Sequence, residues 1–143
     1  MNDKKRCLQA AEELQETLYK MTGTRPVIVD DSEVHTGSLI LVGDSRYTRR
    51  LGISRLSGYP ESEKAIVKTL GSRLVLIGND CGSYAGTYNA VTMFLESLGC
   101  GWFGPQEMWE VIPETSTIRV GKFDIEHVPQ FIYRTTRVYD SNR

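Results

Sequence analysis

Carboxylates form the chain's most obvious candidate pairs: Asp30 with Asp31, Glu107 with Glu110, and Asp124 with Glu126, with Asp140 close to the end. Two such groups flanking a bond are the machinery of glycoside hydrolysis. Each pair also has a structural account. Asp30-Asp31 closes an apolar run, Glu107 and Glu110 flank a turn, and Asp124 and Glu126 alternate with Phe123 and Ile125 as the solvent face of an edge strand does. A nucleophilic triad lacks members, because Ser83 is not in a GxSxG elbow and the two histidines, His35 and His127, stand in a polar loop and before a proline. No HxxxH or CxxC spacing calls for a metal. Cys7, Cys81 and Cys100 are far apart and read as small buried hydrophobes or free thiols.

The glycine-rich stretch from Gly78 to Thr87 joins a strand to a helix, where backbone N–H groups can hold a phosphate. The residues before Thr87 include no lysine, and Gly78, Gly82 and Gly86 do not fit GxGxxG. A nucleotide cofactor is therefore not expected, and these glycines are expected to let helix and sheet approach closely. Trp102, Phe103 and Trp109 offer either a sugar-stacking platform or anchors for a core or an interdomain contact.

The elements that position these residues follow from periodicity. Cys7, Leu8, Ala11, Leu14, Leu18 and Met21 recur at spacings of three and four, which predicts a helix over residues 4–21 with Gly23 as terminator. Residues 26–29 read as a short strand. The apolar run 38–43 suits a strand covered on both faces and is expected at the sheet centre. Residues 47–51 read as a helical turn. Runs 64–70 and 73–77, parted by Gly71-Ser72, predict an antiparallel hairpin. A second helix is predicted from 85 to 98, ended by Gly99. Beyond it come an aromatic turn, a short extended piece over 110–113 barred from a central strand by Pro113, a strand pair over 116–120 and 122–126 around Gly121, and a last apolar run, 128–133. The order predicts an α+β fold: a mixed sheet of about four strands packed with two main helices.

Size and charge narrow the function. A chain of 143 residues, 40% apolar and 24% charged, suits one domain able to bury its own core. Seventeen basic side chains against 18 acidic ones give a net charge of −1, without the footprint of a nucleic-acid or anionic-membrane binder. No run reaches the roughly 20 apolar residues of a membrane span, and no apolar export signal follows the N-terminus.

Residues 85–105 carry Gly86-Thr87-Tyr88, Val91, Phe94-Leu95-Glu96, Leu98-Gly99-Cys100, Trp102-Phe103 and Pro105. This stretch resembles the helix-and-turn motif of the N-terminal α-glucuronidase-like, or β-N-acetylhexosaminidase-like (domain 2), domain that precedes catalytic barrels in bacterial glycoside hydrolases and related uncharacterised proteins. Residues 10–23 are similar to that family's opening helix, 39–43 to its ILVG strand, 65–78 to its hairpin, and 110–113 and 129–134 to its downstream segments. The resemblance implies an accessory domain over 1–127 that is not itself catalytic, followed over 128–143 by a linker and the start of a (β/α)₈ barrel, where the acid/base carboxylates reside. Since the sequence ends at Arg143, the barrel is expected to lie outside it. With no barrel to bury it, the stretch 128–143 is expected to be mobile, to pack aberrantly, or to pair with a second copy.

The resulting expectation is a domain of a carbohydrate-active protein that braces its own barrel and shapes the rim of the active site. Gly86, Gly99, Trp102, Phe103 and Pro105 act as structural anchors, and Arg134, Trp102 and Trp109 are the residues that reach substrate, if any do. The barrel and a carbohydrate are the partners implied; no nucleic acid, membrane, metal or cofactor is expected. An exported parent, periplasmic or extracellular, fits the resemblance, while the residues themselves set no compartment. Two other readings stand beside this one. A carbohydrate-binding module would stack sugars on Trp102, Trp109 and Tyr84. A small self-contained hydrolase would need one of the carboxylate pairs, Asp30/Asp31, Glu107/Glu110 or Asp124/Glu126, in a cleft.

Overall fold

The stripe at three- and four-residue spacing winds residues Asp3–Thr22 into α1, which buries Ala10, Leu14, Leu18 and Met21 on one side. Gly23 ends it at φ +71°, and its N–H returns to the Tyr19 carbonyl at 2.8 Å. The computed structural model describes residues 3–53, 63–104 and 106–130. After α1 come β1 (Leu39–Val42), α2 (Arg46–Arg50), β2 (Ala65–Leu70), β3 (Arg73–Gly78), α3 (Gly86–Ser97), β4 (Gly101–Trp102), a single 3₁₀ turn (Glu107–Trp109), β5 (Glu110–Val111) and β6 (Asp124–His127).

Four strands form one mixed sheet in the order β1-β3-β2-β6. β1 runs parallel to β3, while β2 is antiparallel to both β3 and β6. The β2–β3 hairpin turns through Gly71-Ser72 with Leu70 opposite Arg73, and Gly71 takes φ +59°. One face of the sheet, with Ala65, Val67, Leu74 and Leu76, packs against Leu14, Leu18, Phe94 and Leu95 of α1 and α3. On the other face Leu41, Val75 and Ile77 meet Tyr47 of α2, with Leu51 and Ile53 beside it. Ser45 and Thr48 start α2 with a reciprocal capping box. The architecture is the α+β fold expected, with a small second ladder of β4 and β5.

Three expectations are corrected. The run 38–43 does not lie at the sheet centre: β1 is an edge strand with Ile40 38% exposed, and β3 takes the central place with five consecutive buried residues. A continuous apolar run reports two covered faces and is silent about how many neighbours a strand hydrogen-bonds. Residues 26–29 form no strand, and Val27 is 83% exposed; strand-forming side chains without a ladder partner stay irregular. The pair expected around Gly121 is also absent, since 116–120 is irregular and β6 joins β2 instead. Thr69 secures that choice: its N–H donates to the Phe123 carbonyl, its hydroxyl donates to the Gly121 carbonyl, and the Phe123 N–H donates to the same hydroxyl.

The stretch expected to be a linker and barrel start begins at Val128, and its residues 131–143 lie outside the described residues. So does Pro105.

The closest backbone approach joins β3 to α3. A Cβ on Gly78 would lie 2.0 Å from the Gly86 carbonyl carbon, and one on Gly86 would lie 2.3 Å from the Asn79 nitrogen. Backbone cannot yield as a flexible side chain does. Gly86→Ala is therefore expected to lower stability by about 3 kcal/mol, whereas Gly71→Ala, with open space around it but a positive φ, should cost about 1 kcal/mol. Urea unfolding of the two variants checks the ratio.

Candidate functional site

The glycine-rich bend after β3 supplies its own anion. Asp80, 9% exposed, accepts the Thr87 N–H at 3.0 Å on one carboxylate oxygen and the Thr87 hydroxyl at 2.5 Å on the other. The same hydroxyl accepts the Gly78 N–H at 3.1 Å. Two further N–H groups at the start of α3 are also met, Ala85 by the Glu63 carboxylate at 3.2 Å and Gly86 by the Asn79 carbonyl at 2.9 Å. These protein groups fill the positions a phosphate would need, in keeping with the glycines acting as packing residues. From α1, Arg6 closes the bend by donating to the carbonyls of Asp80, Tyr84 and Gly82.

Cys7 of α1 also touches this cluster, its sulfur 3.5 Å from Asp80 Oδ2. Burial and the adjacent Asp80 charge push its thiol up to about 11. Burial likewise raises Cys100. None of the three cysteines is in a disulfide.

Cys7 and Asp80 also line a cleft of about 560 Å³ together with all four residues of β1, an edge strand. Leu8 and Ala11 of α1, Ile28 and Val29 also line it, together with Asp30, Asp31 and Asp44. Asp44 is held by Arg49, whose Nε and NH2 donate at 3.0 and 2.6 Å. Asp31 accepts the Arg46 N–H at 2.6 Å, and Asp30 accepts the Ser32 N–H at 2.7 Å. Hydrogen bonds from Ser32 hold the Asp30 carboxyl below its ordinary value. A broader groove of about 810 Å³ runs past Gln9, Glu12, Glu13 and Tyr88 on α1 and α3.

Of the residues singled out in the sequence, Asp30 and Asp31 meet in the cleft that β1 lines, with Cys7 and His35; Trp102, Phe103, Trp109 and Tyr84 do not join them there. Trp102 is half-buried against the main core. Trp109 is 50% exposed and Phe103 is 74% exposed, its ring over Gly101. The Phe103 N–H donates to the Trp109 carbonyl at 3.0 Å, and the Trp109 ring covers Gly104. Tyr84 stands in the bend that Arg6 closes. Gly86 makes the close approach to the sheet, and Gly99 ends α3 at φ +93°. Arg134 lies outside the described residues.

Apart from Asp30 and Asp31, the described acids of the candidate pairs line neither the cleft nor the groove. Glu110 pairs with Lys20 at 3.2 Å, Asp124 with Lys68 at 2.9 Å and Glu126 with Lys64, the last two across the β2–β6 ladder. Among the described residues no group of three His, Cys, Asp or Glu is placed to hold a metal ion, and no helix is long and apolar enough to cross a membrane. Sequence reasoning did not single out Asp80 or Cys7 as partners of Thr87. An acid in the strand-to-helix bend, seven residues before a threonine in the first helical turn, was the available signal.

No family model, curated protein or solved structure matches the chain.

Thr87→Val keeps the shape but strands the Gly78 N–H and a buried carboxylate, so it should cost about 2–3 kcal/mol in urea unfolding. Cys7 also sets an alkaline limit. Its folded value lies above the ordinary 9.0, so the stability tied to its neutral thiol is complete below about pH 9 and lost as pH rises to about 11. Cys7→Ala should flatten that part of the stability profile. With Cys81 and Cys100 replaced by serine, Cys7 should react with a disulfide reagent at pH 8 about 100-fold more slowly than a free thiol.

Proposed function

We propose that the chain is a non-catalytic accessory domain of a carbohydrate-active enzyme, a glycoside hydrolase of the α-glucuronidase-like or β-N-acetylhexosaminidase-like kind, and that it braces a catalytic barrel. The observation that carries this reading is the apolar surface of residues 101–128. Phe103, Met108, Trp109, Val111 and Val128 are 74%, 78%, 50%, 50% and 47% exposed within a short stretch of chain. Large apolar side chains left outside a core favour a covering partner.

The motif over 85–105 supports the same reading, since its described glycines act as the packing and terminating residues that an accessory domain needs. Glu110, Asp124 and Glu126 are engaged with lysines and line neither the cleft nor the groove, and Asp30 and Asp31, which do line the cleft, are held by the backbone N–H groups of Ser32 and Arg46. Trp109 and Phe103 would then be the contact with the barrel, and the bound saccharide would belong to the barrel's site.

The purified chain is expected to leave aryl α-glucuronides and aryl β-N-acetylhexosaminides intact. Saccharide titration is expected to leave the indole signals of Trp102 and Trp109 unmoved. In a longer product of the same gene carrying a barrel, Phe103→Ala and Trp109→Ala should lower the unfolding temperature by several degrees while changing that of the 143-residue chain by about 1 °C or less. Hydrolysis abolished by Glu107→Gln or Asp124→Asn, or indole shifts on adding sugar, would overturn the proposal. So would a reading frame past Arg143 without alternating strand and helix patterns.

A further inference from the structure

We propose that the cleft lined by the edge strand β1 binds an extended basic peptide, which adds to the sheet as a fifth strand. The backbone supplies the first part of the argument. Leu39 and Gly43 donate their N–H groups to Ser72 and Leu76 of the neighbouring strand region, at 3.2 and 2.8 Å. Strand alternation therefore turns the N–H and C=O groups of Ile40 and Val42 to the opposite side. No strand among the described residues pairs with them there. An unpaired edge is a template for one more strand.

Side chains around that edge supply the second part. All four β1 residues line the cleft, with Ile40 38%, Leu8 49% and Val29 51% exposed. They give apolar seats for alternate side chains of an added strand. Charge selects the occupant. Asp30, Asp31, Asp44 and Asp80 line the cleft against Lys4, His35 and Arg49; Arg49 is paired with Asp44 and also feels Asp31, and Arg46 and His35 act on Asp30, which leaves the acids in excess. Asp30 and Asp31 are exposed and carry no ion pair among the described residues. These acids meet a lysine or arginine favourably and repel a second copy of themselves. The site is on the β1 edge, at the opposite end of the sheet from β6, so the inference is independent of the barrel.

The probe is a fluorescent eight-residue peptide of alternating valine and threonine ending in two lysines, with a control ending in two glutamates. The lysine form should bind at least about tenfold more tightly than the control, and Asp30→Asn with Asp31→Asn should remove most of that preference. Asp30→Asn alone leaves the Asp31 contact to Arg46 in place and should weaken binding by a smaller factor. N-methylation of the peptide amides that face β1 should weaken binding by about tenfold or more. Amide shifts should centre on Ile40 and Val42. Equal binding of the two peptides, undiminished binding after N-methylation, equally tight binding of a simple diamine, or no binding at about 1 mM would overturn the proposal. Slow hydrogen exchange at Val27 and Val29 together with Ile40 and Val42 in the free chain would also overturn it, because the chain's own segment would then cover the edge.

Discussion

The close approach of α3 to the end of β3 is the constraint on which the rest of the structure depends. Gly78 and Gly86 leave no room for a side chain on either partner. Asp80 and Thr87 then hold the helix start against the sheet with three hydrogen bonds among buried groups. With α3 held there, Phe94 and Leu95 lie over Val67 and Leu76, and α1 closes the layer from the side. Arg6 and Cys7 bring α1 to the same bend. One short segment thus orients both helices relative to the sheet. An unpaired acid in that place would carry a heavy desolvation cost, which the Thr87 hydroxyl and amide and the Cys7 thiol around it offset.

Much of this was legible in the sequence where the cause is local. The 3.6-residue stripe ending at Gly23, the hairpin around Gly71-Ser72 and the helix ended by Gly99 each depend on residues near in sequence. The packing role of Gly78 and Gly86 was also readable, because a bend without a P-loop lysine leaves close contact as the use of its glycines. What depends on remote partners was not readable. Nothing near residues 39–42 tells that β3 will have two neighbours and β1 one. Nor does 116–126 reveal that β2, sixty residues earlier in rough terms, competes with a local hairpin. The joining of Cys7 to Asp80 has the same character: two residues far apart in the chain whose meeting is a product of helix packing.

The two ends of the sheet differ in how they are finished. Along β6, Lys64 and Lys68 face Glu126 and Asp124 across the ladder, and the charged row discourages strand addition on that side. At β1 no such row exists; the edge is apolar, with acids lining the same cleft. The aromatic turn around Phe103 and Trp109 forms a third surface, built on the separate β4–β5 ladder. Its exposure therefore owes little to the main sheet, and changes there can alter contacts outside the domain without loosening the core.

The hairpin around Gly71 has a further consequence for how the chain finds its shape. It is the one pairing in the main sheet that closes a short loop; the parallel β1–β3 contact and the β2–β6 contact both enclose long stretches of chain. Entropy of closure is smallest for that turn, so β2 and β3 can meet before either flanking strand is in place, and the order of assembly runs from the middle of the sheet outward.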